Sequence, residues 1–159
     1  MAAIGIHTVR TADPGQMDYF TGLGMKFGGL LYGRPPGDTL DDPGTLPVKD
    51  IAAWTDMVTH RVKDAAGRVK YWEVWNEPPN GIGRHQTAAD YAKIMIATCD
   101  AAHAADPGCL VGMAAKSVHV NWLYQTIRAG ARDHYDHVVL HPYESLGSAI
   151  KQPGANPFS

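Results

Sequence analysis

Two rhythms of apolar residues alternate along the chain. Short runs with strand character occupy residues 3–9 ("AIGIHTV"), 25–32 ("MKFGGLLY"), 69–75 ("VKYWEVW"), 110–114 ("LVGMA") and 137–141 ("HVVLH"). Between them lie longer segments of helical period. The stretch "PGQMDYFTGLG" reads as a short helix opened by Asp13-Pro14 and closed at Gly22 or Gly24. From 47 to 66, Ile51, Trp54, Val58 and Val62 share one stripe, while Lys49, Asp56, Arg61 and Lys63 lie largely off it. That pattern predicts an amphipathic helix with proline in its first turn, Trp54 packing between helix and sheet. Thr87 and Asp90 form a capping-box-like start for a helix through Tyr91, Ile94, Met95 and Ala102, which stops before Asp106-Pro107-Gly108. A last helix is predicted over 121–129, with Gly130 as its stop.

Strands that alternate with helices predict an α/β fold with about five parallel strands. No repeat or linker divides the chain, so residues 1–159 are expected to form a single domain. The loops after the strands at 25–32 and 69–75 are long and rich in Pro, Gly and Asp, whereas those leading into strands, such as "GLG" and "DPGC", are short. In parallel α/β folds, ligands meet the carboxyl ends of the strands, so the long loops mark the binding face.

One strand ends in chemistry. In "YWEVWNEPPNG", alternation places Tyr71, Glu73 and Trp75 on one side and Trp72 and Val74 on the other. Continued, it brings Glu77 to the side of Glu73 and Trp75, facing a cleft, and Pro78-Pro79 then ends the strand. A glutamate held there beside aromatic surface suits a general acid, whose pKa partial burial raises. A solvated glutamate opening a loop is the plainer alternative.

This stretch resembles the acid/base motif of clan A glycoside hydrolases, (β/α)8 barrels in which Asn-Glu-Pro closes the fourth strand. The longer match is to family 39. It runs through "DIAAWTDMV", "GRVKYWEVWNEPPNG", "TAADYAKIM", "AADPGCLVGMA" and "DHVVLHPYE", and "GIHTVRT" and "GMKFGGLLYG" resemble that family's second and third strands. The resemblance implies a partial (β/α)8 TIM barrel spanning the second to sixth strands, with Glu77 as general acid/base of a retaining glycosidase. It further implies that Asn76 binds the sugar 2-hydroxyl and that Arg10 steadies the nucleophile carboxylate. His141 and Tyr143 would lie around the bound sugar, and Trp75 and the proline-rich loop from Gly33 would line the cleft. Arg10 can equally pair with Glu73 as an internal ion pair, and the two roles are compatible. His141 can also be a hydrogen-bonded core histidine.

The resemblance also shows a gap. A retaining glycosidase needs two carboxyl groups roughly 5–5.5 Å apart, and the only glutamates here are Glu73, Glu77 and Glu144. In the family the nucleophile closes the seventh strand, which has no counterpart in this sequence, and a full barrel takes about 250 residues. Nothing in the family pattern makes Glu144 a nucleophile, and Asp38, Asp41 and Asp42 read as solvated loop acids that can reach the cleft. The expectation is therefore an incomplete glycosidase domain, with a non-catalytic carbohydrate-binding or structural half-barrel as the alternative.

Composition agrees with a neutral partner such as an oligosaccharide or glycoside. A net charge of −2, with both signs dispersed, gives no basic stripe for nucleic acid and no polybasic membrane patch. No apolar segment approaches the roughly 20 residues of a membrane span, and "MAAIGIHTVR" lacks the features of a signal peptide. Open barrel edges favour self-association. Cys99 and Cys109 read as buried thiols. His134 and His137 in "DHYDHVVLH" have a ligand-like spacing, but His137 begins a strand and His141 ends it, so no metal site is expected there. "GLGMKFGG" opens no helix and is not a dinucleotide loop. No cofactor is expected.

Overall fold

The computed structural model of the chain describes residues 5, 7–11, 13–35, 45–83, 85–144 and 146–147. Among these, five strands form one parallel sheet in chain order: β1 (Thr8–Arg10), β2 (Lys26–Leu31), β3 (Val69–Val74), β4 (Leu110–Lys116) and β5 (His137–His141). The sheet curls into a half-barrel, with helices α1 (Pro14–Gly22), α2 (Ile51–Asp64), α3 (Ala88–Ala105) and α4 (Val120–Thr126) between successive strands. This is a partial (β/α)8 barrel. Sequential order with helical crossovers follows because each parallel strand needs a connection long enough to return to the same end of the sheet.

The helix starts follow their capping chemistry. Asp13 caps α1 by accepting from the Gln16 N–H at 2.8 Å. Thr87 and Asp90 make the reciprocal capping box of α3: the Asp90 carboxylate accepts from the Thr87 N–H at 3.0 Å, and the Thr87 hydroxyl accepts from the Asp90 N–H at 3.4 Å. The α2 start differs from the expectation. Pro47 precedes the helix, and Asp50 caps it instead by accepting from Ala53 N–H, because its carboxylate can satisfy a free first-turn donor that proline cannot. Helix α4 passes at Ile127–Ala131 into a π-helical turn that includes Gly130, whose φ of 119° is open to glycine. The first strand is shorter than expected: it begins at Thr8, Gly5 sits in a turn, and residues 1–4 and 6 lie outside the described residues. Asp38, Asp41 and Asp42 also lie outside them.

The core sits between the sheet and its helices. Trp54, Trp72, Trp75, Tyr91, Val58, Ile94 and Met95 are all fully buried there. Trp54 spans α2 and α3 by donating its indole N–H to Thr98 Oγ1 at 2.8 Å. Gly29 lies directly against the Trp72 ring, so a Cβ at that position would overlap it. The opposite, concave face is lined by Thr8, Arg10, Gly28, Gly29, Tyr71, Glu73, His137 and Val139 around a cleft of about 170 Å³. At the carboxyl end of the sheet, Gln86 ties together the loops after β2 and β3: its Oε1 accepts from the Leu46 and Gly83 N–H groups and its Nε2 donates to Leu46 O.

Candidate active site at the carboxyl rim of the sheet

Strand β3 ends at Val74, and the next residues leave strand geometry. Trp75 and Glu77 both have left-handed backbones, with φ of 63° and 52°. Non-glycine residues adopt this region rarely, and such conformations gather at functional sites. Two left-handed residues separated by Asn76 break the period-two alternation, which decides where the next side chains go.

Trp75 therefore does not line the cleft. It is fully buried, its ring centroid 4.6 Å from that of Tyr32 and 6.0 Å from that of Trp54, and its indole N–H donates to Gly81 O at 2.7 Å. It belongs to the helix-side core and anchors the loop that carries Glu77. The positive φ at Trp75 turns the ring away from Glu73, which strict alternation would have made its neighbour.

Glu77 nevertheless reaches the rim. Its Oε1 lies 2.8 Å from Nδ1 of His141, the last residue of β5. With a proton on Nδ1 the imidazole donates to the carboxylate. The other ring nitrogen, Nε2, is 3.1 Å from Glu73 Oε1, an ion-pair distance without hydrogen-bond alignment. Glu73 is 5% exposed, and its Oε2 accepts from Arg10 Nη1 at 2.7 Å. The same Arg10 nitrogen lies 3.5 Å from Asn76 Oδ1. Arg10, Glu73, His141 and Glu77 thus form one connected chain of side chains from β1 through β3 to β5. Tyr143 is exposed just beyond, its ring centroid 5.6 Å from that of His141.

The arrangement places Arg10, Asn76, Glu77, His141 and Tyr143 together at the carboxyl end of the sheet. The Arg10–Glu73 internal ion pair is present as one of the two expected roles for that arginine. What sequence reasoning missed is the second partner of Glu73, the His141 ring, and through it the link to Glu77. The available signal was that Glu73 and His141 both lie near the carboxyl ends of their strands, but their register across β4 is a tertiary fact. His137 starts β5, far along it from His141, and His134 pairs instead with Asp100 at 3.2 Å, so those three histidines do not gather.

Chemically, a partly buried carboxylate at a rigid strand end, held by an imidazole and flanked by an amide, can give or take a proton beside a polyhydroxylated ligand. Glu73, buried and engaged by Arg10 and the His141 ring, is a poor nucleophile.

No family model matches the chain, and no curated protein matches it. Solved structures do. A family 39 glycoside hydrolase from the gut symbiont Bacteroides cellulosilyticus WH2 is similar over 87% of this chain and 33% of its own, with 19% identity and a TM-score of 0.64. The shared fold is part of a (β/α)8 barrel. This partial barrel also resembles the β-glucuronidase of Parabacteroides merdae, with 13% identity and a TM-score of 0.54, over 89% of this chain and 16% of the enzyme. A Bacteroides uniformis β-glucuronidase matches with 12% identity and a TM-score of 0.56, over 89% and 17%. At these identities the likeness concerns the fold, and the chain spans about a third of the family 39 enzyme's length.

Proposed function

We propose that this chain carries the acid/base side of a retaining glycosidase site of the family 39, clan A kind, corresponding to the second to sixth strands of the barrel. The observation that carries the reading is the Glu77 carboxylate at the end of β3, 2.8 Å from His141 at the end of β5, on the rim where barrel enzymes do their chemistry. In this reading Glu77 protonates the glycosidic oxygen and later removes a proton from the attacking water. Asn76 meets the sugar 2-hydroxyl, and Tyr143 and His141 border the ring. Arg10 holds the electrostatics of the floor through Glu73.

In this reading the described residues do not supply the second carboxylate. Glu73 is tied up by Arg10 and His141, and Glu144 sits beside Lys116 at 3.7 Å, beyond β5. A nucleophile from outside this segment would complete the pair. The engaged state of Glu73 favours, as the second reading, a half-barrel that binds a glycoside without turning it over. We also propose that β1 and β5, the outermost strands among the described residues, pair with another barrel segment or a second copy. Val138 and Leu140 of β5 are 41% and 39% exposed, in keeping with a strand awaiting cover. Among the described residues no helix is long and apolar enough to cross a membrane.

The test is a panel of aryl β-glycosides (xyloside, glucoside, galactoside, arabinoside) offered to the folded chain, to Glu77→Gln and to Asn76→Ala, with binding followed by NMR shifts and turnover by phenol release. The expected result is binding that weakens in Asn76→Ala, without turnover. Turnover that vanishes in Glu77→Gln would mean that a second carboxylate is supplied within the chain or by a partner copy. A folded chain that neither binds nor cleaves any of them would overturn the reading.

A further inference from the structure

At the opposite end of the sheet, where the strands begin, three side chains of different donor chemistry converge. Cys99 and His103 are four residues apart on α3 and therefore one above the other on its surface. The Cys99 Sγ is 3.6 Å from His103 Nδ1, and His103 Nε2 is 2.9 Å from Asp136 Oδ2. A thiol sulfur, an imidazole nitrogen and a carboxylate oxygen of these residues all lie within 4.8 Å of one another.

We propose that Cys99, His103 and Asp136 form a binding site for a thiophilic divalent cation, zinc in the first instance, which clasps α3 to the start of β4 and β5. The donor set is one that zinc takes: sulfur, nitrogen and carboxylate oxygen with one position left over. Magnesium or calcium, which want oxygen ligands, are poor candidates.

The carboxylate is held ready for the role. Asp136 is clamped to β4 twice, its N–H donating to Val111 O at 2.8 Å and its Oδ2 accepting from Val111 N–H at 2.7 Å. Both this bond and the His103 contact fall on Oδ2, and among the described residues neither uses Oδ1. A plain structural account explains part of the cluster: Asp136 ties β4 to β5, and His103 favours the last turn of α3. It gives no reason for a buried thiol to face the remaining ring nitrogen. Burial first, then the nearby Asp136 and Asp100 carboxylates and Cys109, push the Cys99 thiol up to about 11. Metal binding must displace that proton, as it does at any thiolate site. Cys109 is likewise a buried free thiol.

The site is remote from Glu77 and belongs to the face of a barrel that serves stability more than chemistry. Its success or failure is therefore independent of the glycosidase reading.

Chelator-treated protein titrated with cobalt(II), then with zinc, tests it. The expected result is one equivalent of cobalt bound with a thiolate-to-cobalt charge-transfer absorption, displaced by zinc, and a melting temperature that rises with free zinc. Cys99→Ser should abolish the absorption, and His103→Gln should weaken zinc binding by about tenfold or more. Loss of the absorption in Cys109→Ser as well would add Cys109 as a ligand and support the site. If wild-type protein shows no such absorption, or the absorption survives in Cys99→Ser, the proposal is overturned. The wild-type spectrum keeps the test decisive should a variant fail to fold.

Discussion

Removing one oxygen atom from the core should loosen the end of the sheet that carries Glu77. Tyr91 of α3 is fully buried, and burial holds its phenol protonated far above the ordinary range. Its hydroxyl donates to Val74 O at 2.7 Å and accepts from Ala114 N–H at 2.9 Å. The ladder between β3 and β4 runs only to the Val74–Met113 pair, so the hydroxyl takes over where the two strands part. Tyr91→Phe keeps the ring and its packing against Trp122 and deletes only this bridge. Each buried backbone group left without a partner costs roughly 1–3 kcal/mol, and partial relaxation toward solvent at the rim offsets some of that. The expected loss is about 2–4 kcal/mol. Urea unfolding of wild type and variant, followed by tryptophan fluorescence, measures it, and hydrogen exchange at the Ala114 amide locates it. A loss under about 0.5 kcal/mol, or unchanged exchange at Ala114, would refute the reasoning, since both follow from the same two bonds.

Arg10 and Glu73 should behave as a coupled pair. Arg10→Met strands a buried carboxylate, and because the Arg10 side chain is 45% exposed the loss should be about 1–3 kcal/mol, less than for a fully buried pair. Adding Glu73→Gln should recover part of it, and strict additivity in the double-variant cycle would count against the pairing. His137 sets an acid-side slope. Burial depresses its pKa below the ordinary 6.5, with the Asp136 and Glu73 charges opposing. Above that value it is neutral in both folded and unfolded chains. As pH falls below it the unfolded chain takes up the proton first, so stability drops. Comparing urea stabilities at about pH 7.5 and about pH 5.5, His137→Gln should lose less on acidification than wild type. An identical loss would remove His137 as the cause.

Much of the architecture was legible before folding. Each of β2, β3 and β5 sits within a residue or so of its apolar run, because a parallel strand leaves a short, dense apolar signal that turn residues bracket. The α3 capping box is equally local: Thr87 and Asp90 are close enough to bond each other before any tertiary contact forms. Where proline's preference for a first helical turn competed with a capping acceptor, the acceptor prevailed: the helix starts after Asp50, whose carboxylate accepts from Ala53 N–H, and not at Pro47.

What the amino-acid order determined by itself, then, is the alternation of strands and helices and the delivery of Asn76 and Glu77 to a strand end. These depend on periodicity, capping and proline, all of which act over a few residues. Only the tertiary structure decided which side chains meet there. Trp75 left the cleft because left-handed backbones at Trp75 and Glu77 overrode alternation. His141 came to lie between Glu73 and Glu77, more than sixty residues away in sequence, because β4 sits between β3 and β5 in the sheet. Cys99, His103 and Asp136 converged for the same reason: the register of β4 against β5 places Asp136 on Val111, under the last turns of α3. Such meetings are set by how elements pack, and no local pattern of residues contains them.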